Sequence, residues 1–195
     1  HDLKIGTIAD LIRYRMAHEK TVSRAASCEL VTEWGAFQLI AYQEAHTPNV
    51  HFALLRGPLP HDEATLVRVH LQDSAADILG LSRDDITWSL RSALARVAAE
   101  GRGVIVILRR PEDPQELLQR IRDHALVDRG MSLPKLAPSN ELRTYGVGAQ
   151  IVADLGVRRM RVIGTPKRFH GLAGFGLEVV DYVDSKGKTC ESEQG

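Results

Sequence analysis

Two residues of a strand-like segment could bind a phosphate or transfer protons. Residues 66–71 alternate in polarity, so Arg68 and His70 point to one face while Val67 and Val69 point to the other. A guanidinium beside an imidazole can hold an anion or serve acid–base chemistry. The same pattern also occurs on the half-solvated face of an ordinary strand. The spacing alone therefore leaves both interpretations open.

Two further segments carry groups suited to phosphate. Glu141 and Arg143 stand at the start of a predicted helix, where free backbone N–H groups favour anions. Thr165 and Lys167 lie in the loop 164–168 after a predicted strand, which is where open α/β sheets bind anionic ligands. The loop lacks the glycines and the Gly-Lys-Ser/Thr ending of a P-loop. Charge at a helix start is also common on plain surfaces, so neither segment is specific.

Acidic residues surround a short glycine-containing loop: Asp73, Asp77, Asp84 and Asp85. Carboxylates can hold Mg²⁺ or Ca²⁺. The spacing does not match a calcium-binding loop, and acidic loops are usually solvated. We favour the solvated interpretation over a metal site.

The composition is that of one folded domain, with 195 residues of which 44% are hydrophobic. The 25 Lys and Arg balance the 25 Asp and Glu, which argues against a general nucleic-acid binder or a membrane-surface protein. Cys28 and Cys190 form neither a disulfide framework nor a cysteine zinc site, and two incidental thiols predict a cytoplasmic protein. The chain shows no secretory signal or membrane span, and its start at His1 suggests a fragment.

Hydrophobic periodicity predicts the elements that position these residues. The predicted helices cover residues 7–26, 88–100, 114–128 and 142–155, and the predicted strands cover residues 37–42, 50–56, 66–71, 104–108, 161–163 and 177–182. The inner stripe expected on the helix 114–128 consists of Leu117, Leu118, Ile121 and Ala125. The sum is a mixed α/β fold with an antiparallel-rich N-terminal half and an alternating αβ C-terminal half.

Two stretches resemble riboflavin biosynthesis enzymes. The opening HDLKIGTIADLIRYRMAHEKTV resembles the C-terminal end of 3,4-dihydroxy-2-butanone 4-phosphate synthase in two-domain chains. The segments that resemble the GTP cyclohydrolase II domain of such chains include FQLIAY, VHFALLRG, LVRVH, ALARVAAEGRGVIVILRR and ELRTYGVGAQIVADLGVRRMRVIGTP. The resemblance implies a synthase arm and linker over residues 1–29 and a GTP cyclohydrolase II-like domain over residues 30–183. Residues 184–195 are polar and without periodicity, which predicts a disordered tail.

The resemblance implies zinc chemistry for which this sequence lacks the residues. Family members open the imidazole ring of GTP, and a zinc ion held by three cysteines activates the attacking water. Asp73, Asp84 and Ile86 stand at the three cysteine positions. Two carboxylates and an isoleucine cannot replace three thiolates, so we expect no cofactor in this chain. The family's nucleotide loop is also altered, since Pro111 and Asp113 replace a glutamate and an arginine.

Other family positions are retained. By the resemblance, Arg143 matches the candidate nucleophile and Glu141 the acid two residues before it. The matched nucleotide-binding positions are Arg68, His70, Arg109, Thr165 and Lys167.

The retained fold and the lost metal ligands together favour a domain without ring-opening activity. It would be a structural, dimerising or regulatory partner of an N-terminal synthase domain, and the full-length parent would have the synthase (lyase) activity. Two alternatives stay open, a zinc-independent cleavage of the phosphates of GTP or a related nucleotide, and a nucleotide-sensing module. The resemblance also implies a homodimer.

Overall fold

A single sheet of eight strands runs through the chain, in the order β1-β2-β3-β5-β4-β6-β7-β8. The computed structural model describes residues 14, 19–60, 62–80, 88–109, 111–129, 131, 141–166, 172–184 and 189–191. The strands are β1 (Val22–Thr32), β2 (Gly35–Glu44), β3 (Val50–Arg56), β4 (Thr65–Leu71), β5 (Gly103–Leu108), β6 (Arg159–Ile163), β7 (Glu178–Val183) and β8 (Thr189–Glu191). The helices are α1 (Ser74–Asp77), α2 (Leu90–Glu100), α3 (Pro114–Asp128) and α4 (Glu141–Asp154), with a 3₁₀ helix at Leu172–Phe175.

Strand direction divides the sheet in the way that the sequence predicts. Strands β1, β2, β3 and β5 pair antiparallel, whereas β5, β4, β6 and β7 pair parallel. Short turns can join antiparallel neighbours, while parallel neighbours need longer connections that contain helices. The predicted mixed α/β fold with an antiparallel-rich front half is thus confirmed.

Helices cover both faces of the sheet. On one face, Val147, Ile151 and Val152 of α4 pack into the larger apolar core. On the other face, α2 buries Ala93, Leu94 and Val97. Strand β5 lies between them, and its residues 104–106 are 0% exposed, as the unbroken run of β-branched side chains predicts.

Two predictions at the ends of the chain are wrong. Residues 22–26 do not continue a helix but begin β1, whose backbone is paired with β2. The apolar stripe at helical spacing ends before residue 22. No local pattern therefore favours a helix over strand pairing in residues 22–26. The sheet thus includes residues that the predicted division at residue 30 gave to the linker. In the tail, residues 189–191 are not disordered but form β8, which pairs antiparallel with β7.

Helix α3 has the predicted bounds but not the predicted packing. Leu118 is 45% exposed and Ile121 is 44% exposed, and none of the α3 side chains that the structure describes is buried. The prediction of an inner stripe was wrong, because helical spacing identifies an apolar face but not the element against which that face packs. No helix in the described ranges has both the length and the apolar character needed to cross a bilayer.

Candidate functional site

Arg68 and His70 share one face of β4, as the alternation predicts. Their neighbours across the parallel ladder are Ile105 and Ile107, which belong to the core on the α2 side of the sheet. His70 is only 6% exposed, whereas Arg68 has intermediate exposure, so this face is largely buried. The functional interpretation of the pair stays a prediction.

Backbone carbonyl groups hold the guanidinium of Arg68. Its Nη1 donates to the carbonyl oxygen of Ile163 at 2.9 Å, and its Nη2 donates to that of Trp88 at 3.4 Å. Burial lowers the pKa of Arg68, and the charge of Asp77 opposes that shift.

His70 is fixed by a carboxylate. Its Nε2 lies 2.9 Å from both Oδ1 and Oδ2 of Asp77, and these two side chains are 8% and 10% exposed. The same carboxylate also accepts from the backbone N–H of Asp73 at 3.0 Å. The orientation of the imidazole is thus set by an aspartate on α1, which leaves Nδ1 directed elsewhere.

Three buried polar atoms on this face have no hydrogen-bond partner: Arg68 Nε, His70 Nδ1 and Trp88 Nε1. These are the three side-chain atoms of that kind in the described part of the chain. An unsatisfied buried polar group costs about 1–3 kcal/mol, so natural proteins rarely keep several together without a polar occupant. Arg68, His70 and Trp88 are here called the donor cluster, because Arg68 Nε and Trp88 Nε1 are N–H donors, whereas His70 Nδ1 accepts in the neutral ring that donates from Nε2 to Asp77. The cluster is therefore suited to a bound water or a polar ligand.

The loop after β6 meets the donor cluster through Gly164. This glycine has φ +154°, and a Cβ placed on it would lie 3.2 Å from Nη1 of Arg68. Thr165 follows at once and is exposed. The structure thus brings the predicted loop and Arg68 together, while Lys167 lies outside the described residues.

Arg109 sits at the end of β5 and makes other contacts. Its Nε donates to Gln72 Oε1 at 3.0 Å, and its guanidinium lies 5.3 Å from the ring centroid of Phe52. Its backbone N–H donates to Nδ1 of His51, whose Nε2 bonds Glu44 at 2.9 Å. In the contacts that the structure describes, Arg109 does not touch the donor cluster.

For the predicted site residues of α4, the structure describes only the position of the backbone. Helix α4 begins at Glu141, so Glu141 and Arg143 lie in its first turn. Their side chains are outside the described part of the structure. Their roles stay predictions.

The residues present do not fit a zinc ion held by thiolates. One oxygen of Asp73 accepts from the N–H groups of Ala75 and Ala76 as the N-cap of α1, and the other lies 2.8 Å from Nη1 of Arg120. Asp84 and Ile86 lie outside the described residues, but an isoleucine side chain has no lone pair for a metal. Within the described ranges, no three His, Cys, Asp or Glu side chains come together as a metal site would require.

The two cysteines cannot supply thiolates to this site. Cys28 is exposed on β1, and Cys190 lies in β8. In the strand order, β1 is four strands from β4 and β8 is three strands from it. At about 4.8 Å between neighbouring strands, these separations are roughly 19 and 14 Å.

A family model described as GTP cyclohydrolase II matches residues 23–184. The chain belongs to the GTP cyclohydrolase II family. The match starts one residue after the beginning of β1 and includes β7, so the family domain coincides with the sheet from β1 to β7.

Relatives of this family member are about twice its length. Proteins named 3,4-dihydroxy-2-butanone 4-phosphate synthase from Photobacterium phosphoreum and Pseudomonas aeruginosa are 40% and 43% identical, over 95% of this chain and 49% and 50% of their own. The riboflavin biosynthesis protein RibBA of Aquifex aeolicus is 41% identical over 95% of this chain and 47% of its own. The chain spans about half the length of these curated relatives.

A solved structure shares the fold. The crystal structure of RibBX, a two-domain 3,4-dihydroxy-2-butanone 4-phosphate synthase from A. baumannii, is 36% identical with a TM-score of 0.58. The similarity covers 93% of this chain and 46% of that chain.

Two members of the site in this GTP cyclohydrolase II family member were not found from sequence. Trp88 stands in a short polar run, which gave no sign that its indole would be 5% exposed beside Arg68. Asp77 was noted only within the acidic cluster. Its position seven residues after His70 is the one signal that could have suggested the pair.

Proposed function

We propose that this chain is a GTP cyclohydrolase II-like domain of riboflavin biosynthesis that does not open the purine ring. The observation that carries the proposal is the engagement of Asp73, at a position where the family resemblance places a zinc-binding cysteine. Its two oxygens are used by the cap of α1 and by Arg120. A hard carboxylate whose two oxygens are already engaged is a poor ligand for zinc, which favours sulfur and nitrogen ligands.

The altered nucleotide loop supports the same conclusion. Asp113 caps α3 by accepting from the backbone N–H of Gln115 at 2.8 Å. Arg120 is bonded to Glu112 as well as to Asp73, so the cation here is already paired. Among the described residues of this loop, a polyphosphate would meet the carboxylates of Glu112 and Asp113 while Arg120 is already paired, which disfavours its binding.

The chain would act as a structural or regulatory partner of an N-terminal synthase domain in the same cytoplasmic parent. Support comes from the names and lengths of the relatives, of which this chain covers about half. The parent would convert ribulose 5-phosphate to the butanone phosphate and formate. This chain resembles only the C-terminal end of the synthase domain, so we expect that it does not perform that step itself.

A polar clamp on α4 is suited to such a partner role. Gln150 Oε1 accepts from the N–H and the hydroxyl of Thr21 at 2.9 and 3.0 Å, and its Nε2 donates to the carbonyl oxygen of Glu19 at 2.9 Å. These contacts fix the segment through which the preceding residues enter the sheet. Loss of these hydrogen bonds would therefore affect the segment that precedes Glu19 in the chain.

Zinc analysis and formate release from GTP test the inactivity. We expect no stoichiometric zinc and no formate from the wild-type chain. The Asp73→Cys/Asp84→Cys/Ile86→Cys variant is the control for zinc uptake, because it restores the three thiols. Stoichiometric zinc together with formate release from the wild type would overturn the proposal.

Kinetics of the full-length parent test the partner role. Gln150→Ala should change the synthase kcat or KM by more than twofold, since it frees the entering segment. The control is Gln119→Ala, whose amide bonds only Asp123 on the same exposed helix among the described contacts. Identical synthase kinetics in both variants would contradict regulation by this domain.

The donor cluster favours a second candidate, a nucleotide-sensing module. The unpartnered buried donors Arg68 Nε and Trp88 Nε1 could bind a phosphate or carbonyl oxygen. Calorimetry with GTP and GMP should then show binding that Arg68→Gln abolishes and that Arg91→Gln, a change of an exposed arginine, preserves. Absence of heat with both nucleotides would leave the scaffold role.

Cleavage of GTP without zinc is the remaining alternative. With Arg143, Thr165 and Lys167 at the phosphates, water would attack the α-phosphorus of GTP and break the α–β phosphoanhydride bond, which gives GMP and pyrophosphate. Pyrophosphate formation that disappears in Arg143→Ala would support it, and no pyrophosphate from the wild type would exclude it.

A further inference from the structure

The two edges of the sheet differ in length and protection. Strand β8 has 3 residues, whereas β1 has 11, of which the nine from Ser23 to Val31 are exposed. An edge strand presents unpaired N–H and C=O groups to any strand that can pair with it, and proteins commonly guard such edges with proline or lysine. β1 contains neither. Its one irregularity is a bulge at Ala25.

The bulge places two opposite charges on one face of β1. Arg24 lies opposite Tyr42 on β2, and Glu29 lies opposite Gln38. Directly paired residues share a face, and Tyr42 and Gln38 are four residues apart on a regular strand, so they too share a face. Arg24 and Glu29 therefore point the same way, although an odd separation of five residues would set them on opposite faces of a regular strand.

Ser27 is the midpoint between these charges. It lies opposite Ile40, which is two residues from Tyr42 and two residues from Gln38. The same midpoint relates Val22, opposite Glu44, to Val31, opposite Ala36. These positions on one face of β1 are thus arranged symmetrically about Ser27, with the cation Arg24 matched to the anion Glu29 and the buried Val22 matched to the exposed Val31.

We propose that β1 pairs antiparallel with the β1 strand of a second copy of this chain, around a two-fold axis at Ser27. Arg24 would then lie opposite Glu29 of the partner subunit, and the reverse pair would form by symmetry. The dimer implied by the family resemblance would thereby have a defined surface. The inference rests on the fold and the register of β1, and it does not depend on whether GTP is turned over.

The charges around β1 favour this register over its alternatives. Lys20 and Arg24 share the single carboxylate of Asp154, at 3.2 and 2.7 Å, so these three side chains together carry a net positive charge. Glu29 forms no ion pair with a described residue. Antiparallel association brings each positive end over the negative end of the other copy, whereas parallel pairing sets like charges together.

A groove beside β1 can accept side chains from the second copy. It has a volume of about 520 Å³, and its lining includes Ser27, Cys28, Phe37 and Leu55. Contacts in this groove would add to the strand ladder, which alone would bury less than the roughly 1,200 Å² typical of stable interfaces.

Site-directed disulfides test the axis. In a Cys28→Ser background, Ser27→Cys should form an intermolecular disulfide rapidly, because directly opposite Cα atoms in an antiparallel pair are about 4.5–5.5 Å apart, which suits a disulfide. The matched control is Val31→Cys in the same background. Val31 is 77% exposed, yet it would face Val22 of the partner subunit rather than its own copy. Cross-linking at position 31 as fast as at position 27 would overturn the register.

Sedimentation of the 195-residue chain tests the dimer itself. We expect a concentration-dependent dimer whose dissociation constant rises more than tenfold in Glu29→Lys. This substitution places a cation opposite Arg24 of the partner subunit, and symmetry repeats the repulsion at a second position. Asp62→Lys makes a similar charge change at an exposed residue away from β1 and should leave the dimer intact. Circular dichroism confirms that both variants fold. A monomer at every concentration, or a dimer that Glu29→Lys leaves unchanged, would refute the proposal.

Discussion

The carboxylate of Asp73 lies 2.8 Å from Nη1 of Arg120, while its other oxygen caps α1 through the N–H groups of Ala75 and Ala76. This contact joins the end of β4 to α3, a helix that buries none of its described side chains. A position at which the family resemblance implies a metal ligand thus serves here as a helix cap and an ion-pair partner. The proposed loss of zinc chemistry and this structural contact thus concern the same residue.

Removal of the Asp73 side chain should destabilise the fold. Asp73→Ala deletes an N-cap and an ion pair, so we expect the free energy of unfolding to fall by about 1–2 kcal/mol. Urea denaturation measures this change. Asp62→Ala, at an exposed site, should stay within about 0.5 kcal/mol of wild type. A wild-type midpoint for Asp73→Ala would show that the cap and ion pair contribute nothing.

Two nearby glycines should respond differently to alanine. Gly101 ends α2 with φ +78° and open space around its Cα, so Gly101→Ala should cost only about 1–2 kcal/mol of backbone strain. Gly103 has φ +152°, and a Cβ there would lie 2.8 Å from the carbonyl oxygen of Leu66. Gly103→Ala should therefore lose at least about 2 kcal/mol more than Gly101→Ala, since the clash is with backbone of the neighbouring strand. Equal losses in thermal unfolding would contradict this account.

Because the indole N–H of Trp88 is unpaired, we predict that substitution of this buried tryptophan costs unusually little stability. Trp88→Phe removes an unsatisfied donor, which offsets the volume lost, so we expect a loss below about 1 kcal/mol. Tyr42→Phe is the comparison, because the Tyr42 hydroxyl donates to Asp154 Oδ2 at 2.9 Å. Removal of that satisfied hydrogen bond should cost about 1.5–3 kcal/mol, since its acceptor is charged. The order of the two unfolding free energies is the test, and the reverse order would count against the donor cluster as described.

Acid should destabilise the fold partly through Asp154. Burial alone would raise the pKa of this carboxyl, but hydrogen bonds from Arg24, Tyr42 and Lys20 outweigh burial and lower it. A carboxyl whose pKa is lower in the folded chain contributes fully above its ordinary pKa of about 4, and that contribution is lost as the pH falls through the lowered value.

The matching variant is Asp154→Asn. It should lose stability at pH 7 and show a shallower fall in unfolding free energy below about pH 4 than the wild type does. Urea titrations between pH 7 and pH 2.5 give both slopes. Parallel curves for the two proteins would mean that Asp154 does not contribute to acid sensitivity.

Local pattern determined much of this fold. The β-branched run of β5 indicated a strand buried on both faces, and residues 104–106 are 0% exposed. The bounds of β3 and α3 follow from periodicity and from a proline in the first helical turn. The residue types at positions 73, 84 and 86, matched through the family resemblance, predict that a thiolate zinc site is missing, and this stays a prediction.

Other features were decided by contacts between residues far apart in the chain. Arg24 and Asp154 are separated by 130 positions, and their pairing helps to fix β1 where the sequence suggested helix. The exposed stripe of α3 and the burial of Trp88 beside Arg68 likewise depend on which elements meet. Periodicity records which side chains are apolar and on which side of an element they lie. The partner of each face is set by the free energy of the whole packed chain, so only the tertiary structure could decide it.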